Sequence, residues 1–429
     1  MITTTIVLLL VVLALSVSVT AGLGLLAAAL TLLYTQVPLE RMIGEVAWQS
    51  MSSESLVAIP FFILLGEIML RSGIAEKMYA ALVEWLSWLP GGTMHANIGA
   101  CALFAATSGS SVATAATIGT VSMPEIRKRG YNERLFLGTL AAGGTLGILI
   151  PPSVALILYG VLTETSIPRL YMAGMIPGVV LALLFMAFIA GYSILVPSVG
   201  GTKVNTSWAR RVRVLPDLLP PLFIFAVVVL TIYAGIATPT EAAAFGVVAA
   251  LVLTLLRRRL SFDMLKSAVE GTMRTTAMVV AIILTALLLN FVLTFLGISS
   301  AIVSSVSGLD MSPVTFMLTI VAFYLVLGCF MEGFSIMLIT VPIIAPLVVA
   351  MGYDPVWFGI VLTLLLEAAM ITPPIGVNLY VVQGVRSRGG IMDVIVGATP
   401  FVAIIFLMIL LLIAVPDVAL WLPNTVFAR

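Results

Sequence analysis

The sequence predicts an all-α polytopic membrane protein made of two inverted repeats, each with a re-entrant hairpin and a transmembrane helix broken at a proline pair. Three observations predict it. First, 61% of the 429 residues are hydrophobic and 9% are charged, where a soluble domain carries about 25% charged residues. Apolar runs longer than the ~20 residues that cross a bilayer recur from end to end. Second, Pro151-Pro152 and Pro373-Pro374 stand 222 positions apart, and Pro124/Pro346, Gly130/Gly352 and Tyr131/Tyr353 keep the same spacing. Five matches at one offset point to an internal duplication. Third, the basic residues cluster in short loops. Placing those loops in the cytoplasm leaves only Arg41, Arg169 and Arg429 of the 20 Lys and Arg outside.

The elements follow in order. The apolar run from Ile6 to Tyr34 has no basic flank and is too long for a signal-peptide core, so it is a membrane segment. Pro38 to Glu54 is amphipathic and predicts an interfacial arm helix on the outer face. Residues of about 93–123, with "TSGSSVATA" at their middle, lie between Arg71/Lys77 and Arg127–Arg129. Both ends are then cytoplasmic, which makes the segment a re-entrant hairpin. The first broken helix spans about 134–162 and closes a first repeat over 1–196. A polar stretch with Gly200-Gly201, residues 197–216, is the cytoplasmic linker.

In the second repeat, 217–429, "TPTEAAA" gives a capping box: Thr238 caps, Pro239 takes the first turn and Glu241 reaches back. Arg257 to Gly271 is the expected arm helix of the inner face, followed by a separate helix from Thr272 to Leu296. The second hairpin, about 313–350, has "CFMEGFSIM" at its middle, and both its ends are expected outside. The second broken helix covers about 355–385, and the C-terminus falls in the periplasm. Hairpins entering from opposite faces make the repeats inverted.

Non-helical backbone in hydrocarbon must line a cavity or bind something, because each unsatisfied group costs several kcal/mol. A proline pair frees carbonyls one turn earlier and starts a new helix after it. Freed carbonyls suit a cation and half-helix N-termini suit an anion. The first tip, Ser108, Gly109, Ser110 and Ser111, offers hydroxyls and close backbone approach, with Gly144 and Thr145 two turns before the first proline pair. The second tip, Glu332, Gly333 and Ser335, faces Thr372, Pro373, Pro374 and Gly376. Asn378 can donate or accept toward a substrate. A Ser/Gly-rich segment alone more often packs helices, and a proline pair alone more often kinks one. Their joint occurrence in both halves favours a binding site. Glu332 is the intramembrane carboxylate nearest a tip and is expected to neutralise a cation or carry protons. The sequence leaves the roles of Glu67 and Glu367 open, since either can lie near an interface or pair within the scaffold.

"ATSGSSVATAATIGTVSMPEIRKRGY", "GGTLGILIPPSVALILYG", "ATPTEAAAFG" and "ITPPIGVNLYVVQG" together resemble the large membrane subunit of tripartite ATP-independent periplasmic (TRAP) transporters, within the ion-transporter superfamily. The resemblance spans essentially the whole chain. It implies an elevator fold with a braced scaffold and a mobile transport domain, in a bacterial inner membrane. It implies Na⁺-coupled import of a small organic anion, delivered by a periplasmic substrate-binding protein, with a small four-helix membrane subunit as partner. It places one of two or more Na⁺ sites between Ser108–Ser111 and Gly144/Thr145, and another between Glu332–Ser335 and Thr372–Gly376. The substrate is expected between the breaks, near Ser111, Pro152, Ser153, Ser335, Pro374, Gly376 and Asn378. The chain opens on its own first membrane segment, so the small subunit is expected as a separate polypeptide.

Other classes fare worse. No P-loop motif G-x-x-x-x-G-K-[ST] occurs, which fits ion-driven transport. A single histidine, His95, and two distant cysteines, Cys101 and Cys329, suggest no His-based metal cluster and no disulfide. No Ser/His or Asp/Asp pair sits on facing helices, which argues against an intramembrane enzyme, and no basic face suggests nucleic acid. A stand-alone carboxylate symporter or antiporter of the same superfamily is the alternative; a co-purifying small subunit separates the two.

Overall fold

In this computed structural model, residues 4–5, 7–8, 11, 18–35, 39–202, 204, 206–298, 301, 304, 311–386 and 388–427 are described. Among them all regular structure is helical. The expected first segment is described as helix α1 (Val19–Tyr34), and its earlier part lies largely outside the described residues. The outer arm follows as α2 (Leu39–Met51), then α3 (Glu54–Arg71) and α4 (Ile74–Leu86), bent 69° apart at Ser72-Gly73. Gly73 makes the bend with a φ of 69°, which only glycine adopts without strain.

The first hairpin is α5 (Thr93–Ser108) and α6 (Ser111–Arg129), and the first broken helix is α7 (Glu133–Thr145) and α8 (Val154–Thr163). A 29-residue helix, α9 (Ile167–Leu195), closes this half. The linker is not plain coil: it contains α10 (Trp208–Val214), which docks on α4. Arg211 Nε donates to the Glu84 carbonyl at 3.1 Å, and Trp208 packs edge-on to Trp85. Then come α11 (Leu219–Tyr233) and α12 (Pro239–Leu256), the latter opened by the expected capping box. Thr238 N–H donates to Glu241 Oε2 at 2.8 Å, and Glu241 N–H donates to Thr238 Oγ1 at 3.3 Å.

The inner arm departs from expectation. It is not a separate element but the first turns of one 34-residue helix, α13 (Phe262–Phe295). Ser261 caps it through Met264 N–H, and no breaker follows except Gly271. A single glycine costs a helix about 1 kcal/mol and does not end it. Here the missing side chain is used, since a Cβ would stand 2.7 Å from the Glu67 carboxyl carbon.

The second hairpin is α14 (Pro313–Phe330) and α15 (Gly333–Ala350), and the second broken helix is α16 (Pro355–Met370) and α17 (Val377–Val385). The chain ends in α18 (Ile391–Ala414) and α19 (Asp417–Phe427). Among the described residues six helices, α9, α12, α13, α14, α15 and α18, are long and apolar enough to cross a bilayer, and up to 8 spans result if each bent pair counts as one. The helix starts keep the offset of the sequence echo: Ser111 and Gly333, Glu133 and Pro355.

The two halves interlock. α18 lies on α7 with almost nothing between them: a Cβ on Gly138 would meet the Gly397 carbonyl at 2.0 Å. At the start of both helices Arg134 pairs with Asp393 at 2.9 Å, and Arg386 pairs with both Asp393 and Glu133 at 3.0 Å. In the same way α9 lies on α16, with Gly174 against Ile360 and Gly359 against Leu170. Each half therefore seats its closing helix on the other half's broken helix.

Candidate functional site

The first tip is built by glycine. α5 ends at Ser108, Gly109 takes a φ of 60°, and Ser110 caps α6 through Ala113 N–H at 3.3 Å. This turn sits directly on the first break. A Cβ on Gly109 would lie 3.0 Å from the Pro152 carbonyl, and one on Gly147 would lie 3.0 Å from Ser111 N. Ser111 Oγ donates to the Thr145 carbonyl at 3.4 Å. Ser153 then restarts the helix: its Oγ accepts from Leu156 N–H at 3.3 Å and donates to the Ile148 carbonyl at 2.5 Å. Both proline–proline peptide bonds are cis.

Asn378 belongs to this first cluster. The sequence reading places it beside the second break, but its side chain crosses to α7. Its Nδ2 donates to the Ala141 carbonyl at 3.3 Å and would be 3.1 Å from a Cβ on Gly144. Its Oδ1 is buried with no hydrogen-bond partner. Reasoning within each repeat cannot find such a contact, because the residue's neighbours come from the other one. The set gathered here is Ser108–Ser111, Gly144, Thr145, Pro152, Ser153 and Asn378. Their hydroxyl, carbonyl and amide oxygens are the neutral hard donors that alkali and alkaline-earth cations take. Among the described residues no group of three His, Cys, Asp or Glu side chains comes together.

The second tip is organised around a carboxylate. Glu332 caps α15: its oxygens accept from Phe334 N–H at 3.0 Å, from Ser335 N–H at 3.2 Å and from Ser335 Oγ at 3.2 Å. Cap geometry accounts for both side chains. The tip rests on α16 one turn before the break, with a Cβ on Gly333 falling 3.6 Å from Leu366 Cβ. Thr372 Oγ1 donates back to the Ala368 carbonyl at 2.7 Å. Pro373 and Pro374 are exposed, and Gly376 turns the chain into α17 with a φ of 43°.

Between the tips lies a cavity of about 120 Å³. Ser108, Gly109 and Ser110 line one side, Phe334 another, and Gly66, Glu67, Thr275 and Met278 of α3 and α13 close it. A Cβ on Gly66 would sit 2.9 Å from the Ser108 carbonyl, so α3 touches the first tip directly. Glu67, whose place the sequence left open, pairs with Arg71 at 2.7 Å and also lines the cavity. Phe334 and Thr275 carry no sequence signal of their own; only tertiary packing brings them here.

Residues 6–418 match the family described as "Tripartite ATP-independent periplasmic transporter, DctM component". The chain belongs to this DctM family. It is a transporter permease, a multi-pass inner-membrane protein and not an enzyme. It is 33% identical over 394 residues to the C4-dicarboxylate TRAP transporter large permease protein DctM of Vibrio cholerae, covering 86% of each chain. It is 32% identical to the ectoine/5-hydroxyectoine TRAP transporter large permease of Ruegeria pomeroyi, covering 87% of each. Against the isethionate TRAP transporter permease protein DctMQ of Oleidesulfovibrio alaskensis, also 32% identical, it covers 93% of itself and 63% of that protein. The fold is similar to the crystal structure of the YdaH transporter of Alcanivorax borkumensis, with a TM-score of 0.71 at 16% identity over 96% of this chain and 99% of that one.

Proposed function

We propose that this DctM-family permease imports a small organic anion driven by Na⁺, in an elevator movement, and works with a small four-helix membrane subunit and a periplasmic substrate-binding protein. Relatives named for C4-dicarboxylates, isethionate and ectoine support a small polar organic solute as cargo. The two halves are inverted repeats in this reading, which the recurring helix bounds support. The C-terminus lies in the periplasm.

One observation carries the coupling ion: the first tip closes over a broken helix, and Asn378, bonded to that helix, keeps a buried, unpartnered Oδ1. A cation there takes Asn378 Oδ1 and carbonyl or hydroxyl oxygens of Ser108–Ser111 and Thr145. A second cation takes the carbonyls freed between Thr372 and Gly376 beside Glu332–Ser335. With cations in place, the N-termini of α8 and α17 present N–H groups, and Ser111, Ser153, Ser335 and Gly376 flank the anion. The moving body contains both hairpins and both broken helices, and the interlock of α18 on α7 and α9 on α16 suits one rigid unit.

The test is thermal unfolding of the purified chain in matched NaCl, KCl and choline chloride. A ligand bound only to the folded state raises the melting temperature by mass action. A sodium-specific rise, lost in Asn378→Ala, supports the reading; equal melting in all three salts overturns it. Co-purification of a small membrane subunit distinguishes the three-component system from a stand-alone carrier.

A further inference from the structure

Glu367 takes no part in the proposed sodium sites. It is the only charged residue of α16, its side chain is 0% exposed, and neither carboxylate oxygen has a hydrogen-bond partner. Glu367 stands seven and eight positions beyond Ile360 and Gly359, which places it on the same stripe of the helix. That stripe faces α9 and α8, since Gly359 packs on Leu170 and Tyr159, and Ile360 on Gly174.

No described group opposes its charge. The elements packed on α16 are α7, α8, α9, α14, α15, α17, α18, α19 and the turn Leu146–Ile148, which has no ionisable side chain. Their ionisable groups are engaged elsewhere or stand at element ends. Tyr159 donates to the Pro355 carbonyl, Tyr171 to the Ser153 carbonyl and Tyr380 to the Pro374 carbonyl, while Tyr324 bonds Thr340. Glu133, Arg134 and Asp393 belong to the ion-pair cluster with Arg386, and Arg169 donates to Asn424. Cys329 donates to the Leu325 carbonyl, Glu332 caps α15, Tyr192 sits in the last turn of α9, and Asp417 begins α19.

We propose that Glu367 is a proton-binding site of the transport cycle, a proposal that rests on the transport reading above. An unpaired carboxylate away from water is expensive, and intramembrane carboxyls are functional by default. A proton suits the site better than a metal cation, which needs several oxygens. On this face Ile360, Leu364 and Ile371 are apolar, and Thr363 Oγ1 already donates to the Gly359 carbonyl at 2.7 Å. A permanent acid would donate its O–H to a fixed acceptor, and the structure provides none. Glu367 also precedes Thr372 by five residues, about 7.5 Å along a helix axis, and the prolines just beyond are exposed. A small opening of the second break gives the carboxyl a route to water.

Infrared difference spectroscopy of the purified full-length chain, scanned over roughly pH 5 to 10 without sodium, reads the proton directly and needs no transport. The expected result is a protonated-carboxyl C=O band that grows as pH falls, is lost in Glu367→Gln and is kept in Glu332→Gln. A band constant across the range makes Glu367 a locked structural acid and overturns the proposal. So does a band untouched by Glu367→Gln, or no band at all. If Glu367→Gln does not fold, Glu367→Asp keeps the carboxyl but withdraws it by one methylene. It is expected to shift the titration midpoint by at least half a pH unit or so, and an unmoved midpoint overturns the proposal. The sodium melting test reads a different group, so the two ideas fail separately.

Discussion

The two proline breaks share a sequence device and differ in almost everything around it. Every residue from Thr139 to Gly160 is buried, so the first break is sealed by the tip, by α9 and by Asn378 arriving from the other half. At the second, Pro373 and Pro374 are exposed, Thr372 and Ile375 are half-buried, and the tip rests a turn away on Leu366. The restarts differ too: Ser153 caps α8 with its side chain, whereas Gly376 begins α17 with no side-chain cap. A proline pair thus dictates that the helix stops; what fills the gap depends on neighbours it does not specify. The first break is built shut, and the second opens onto the surface.

Gly147→Val gives the sharpest challenge to that contrast and the largest expected effect. The first carbon of the side chain meets Ser110 and Ser111 backbone at 3.0 Å, where nothing yields cheaply. Overpacking of this kind costs ~1–3 kcal/mol, and the sodium-specific rise in melting temperature is expected to vanish. A variant that melts like wild type and keeps its sodium response means the tip is not seated on the break. Next is Ser153→Ala, which removes a cap and leaves the Ile148 carbonyl without its donor. A loss of about 1 kcal/mol is expected in denaturant or thermal unfolding, and Gly376→Ala tests the other restart by backbone strain instead, since its φ of 43° disfavours any side chain. The smallest effect on stability, and the most direct reading of openness, comes from cysteine labelling in a Cys101→Ser, Cys329→Ser background. Pro374→Cys is expected to react with a polar maleimide at least tenfold faster than Ser153→Cys; equal rates would erase the distinction between the halves.

Much of this was legible in the sequence, for identifiable reasons. Breaks, tips and the Thr238 capping box are local: they depend on residues within a few positions, such as Gly109 between two serines or Glu241 three residues after Thr238. The inner arm was misjudged because a polar stretch and an apolar one look like two elements, yet a Ser261 cap with no breaker to Phe295 makes one helix. Asn378 is legible as a polar candidate, but its place is not, because its neighbours belong to the other half. That Glu67 and Phe334 line one cavity is not legible, because packing α3 and the second tip against the first makes it. Glu332 stands out by its position at the tip, and its capping of α15 through Phe334 and Ser335 N–H follows from the same local residues.

The bare notch on α7 has a consequence for how the chain is made. Gly138 offers a backbone surface that fits one thing, the Gly397 turn of α18, and the adjoining pair Arg134–Asp393 joins residues 259 positions apart. At synthesis rates of about 5–20 residues per second, roughly 10–50 s pass between the emergence of the two. During that interval the Gly138 surface of α7 lacks the helix that fills it in the folded protein. The packing of α7 is therefore completed only once α18 is made, so a ribosome that stalls between the two leaves this surface of the first half unpaired.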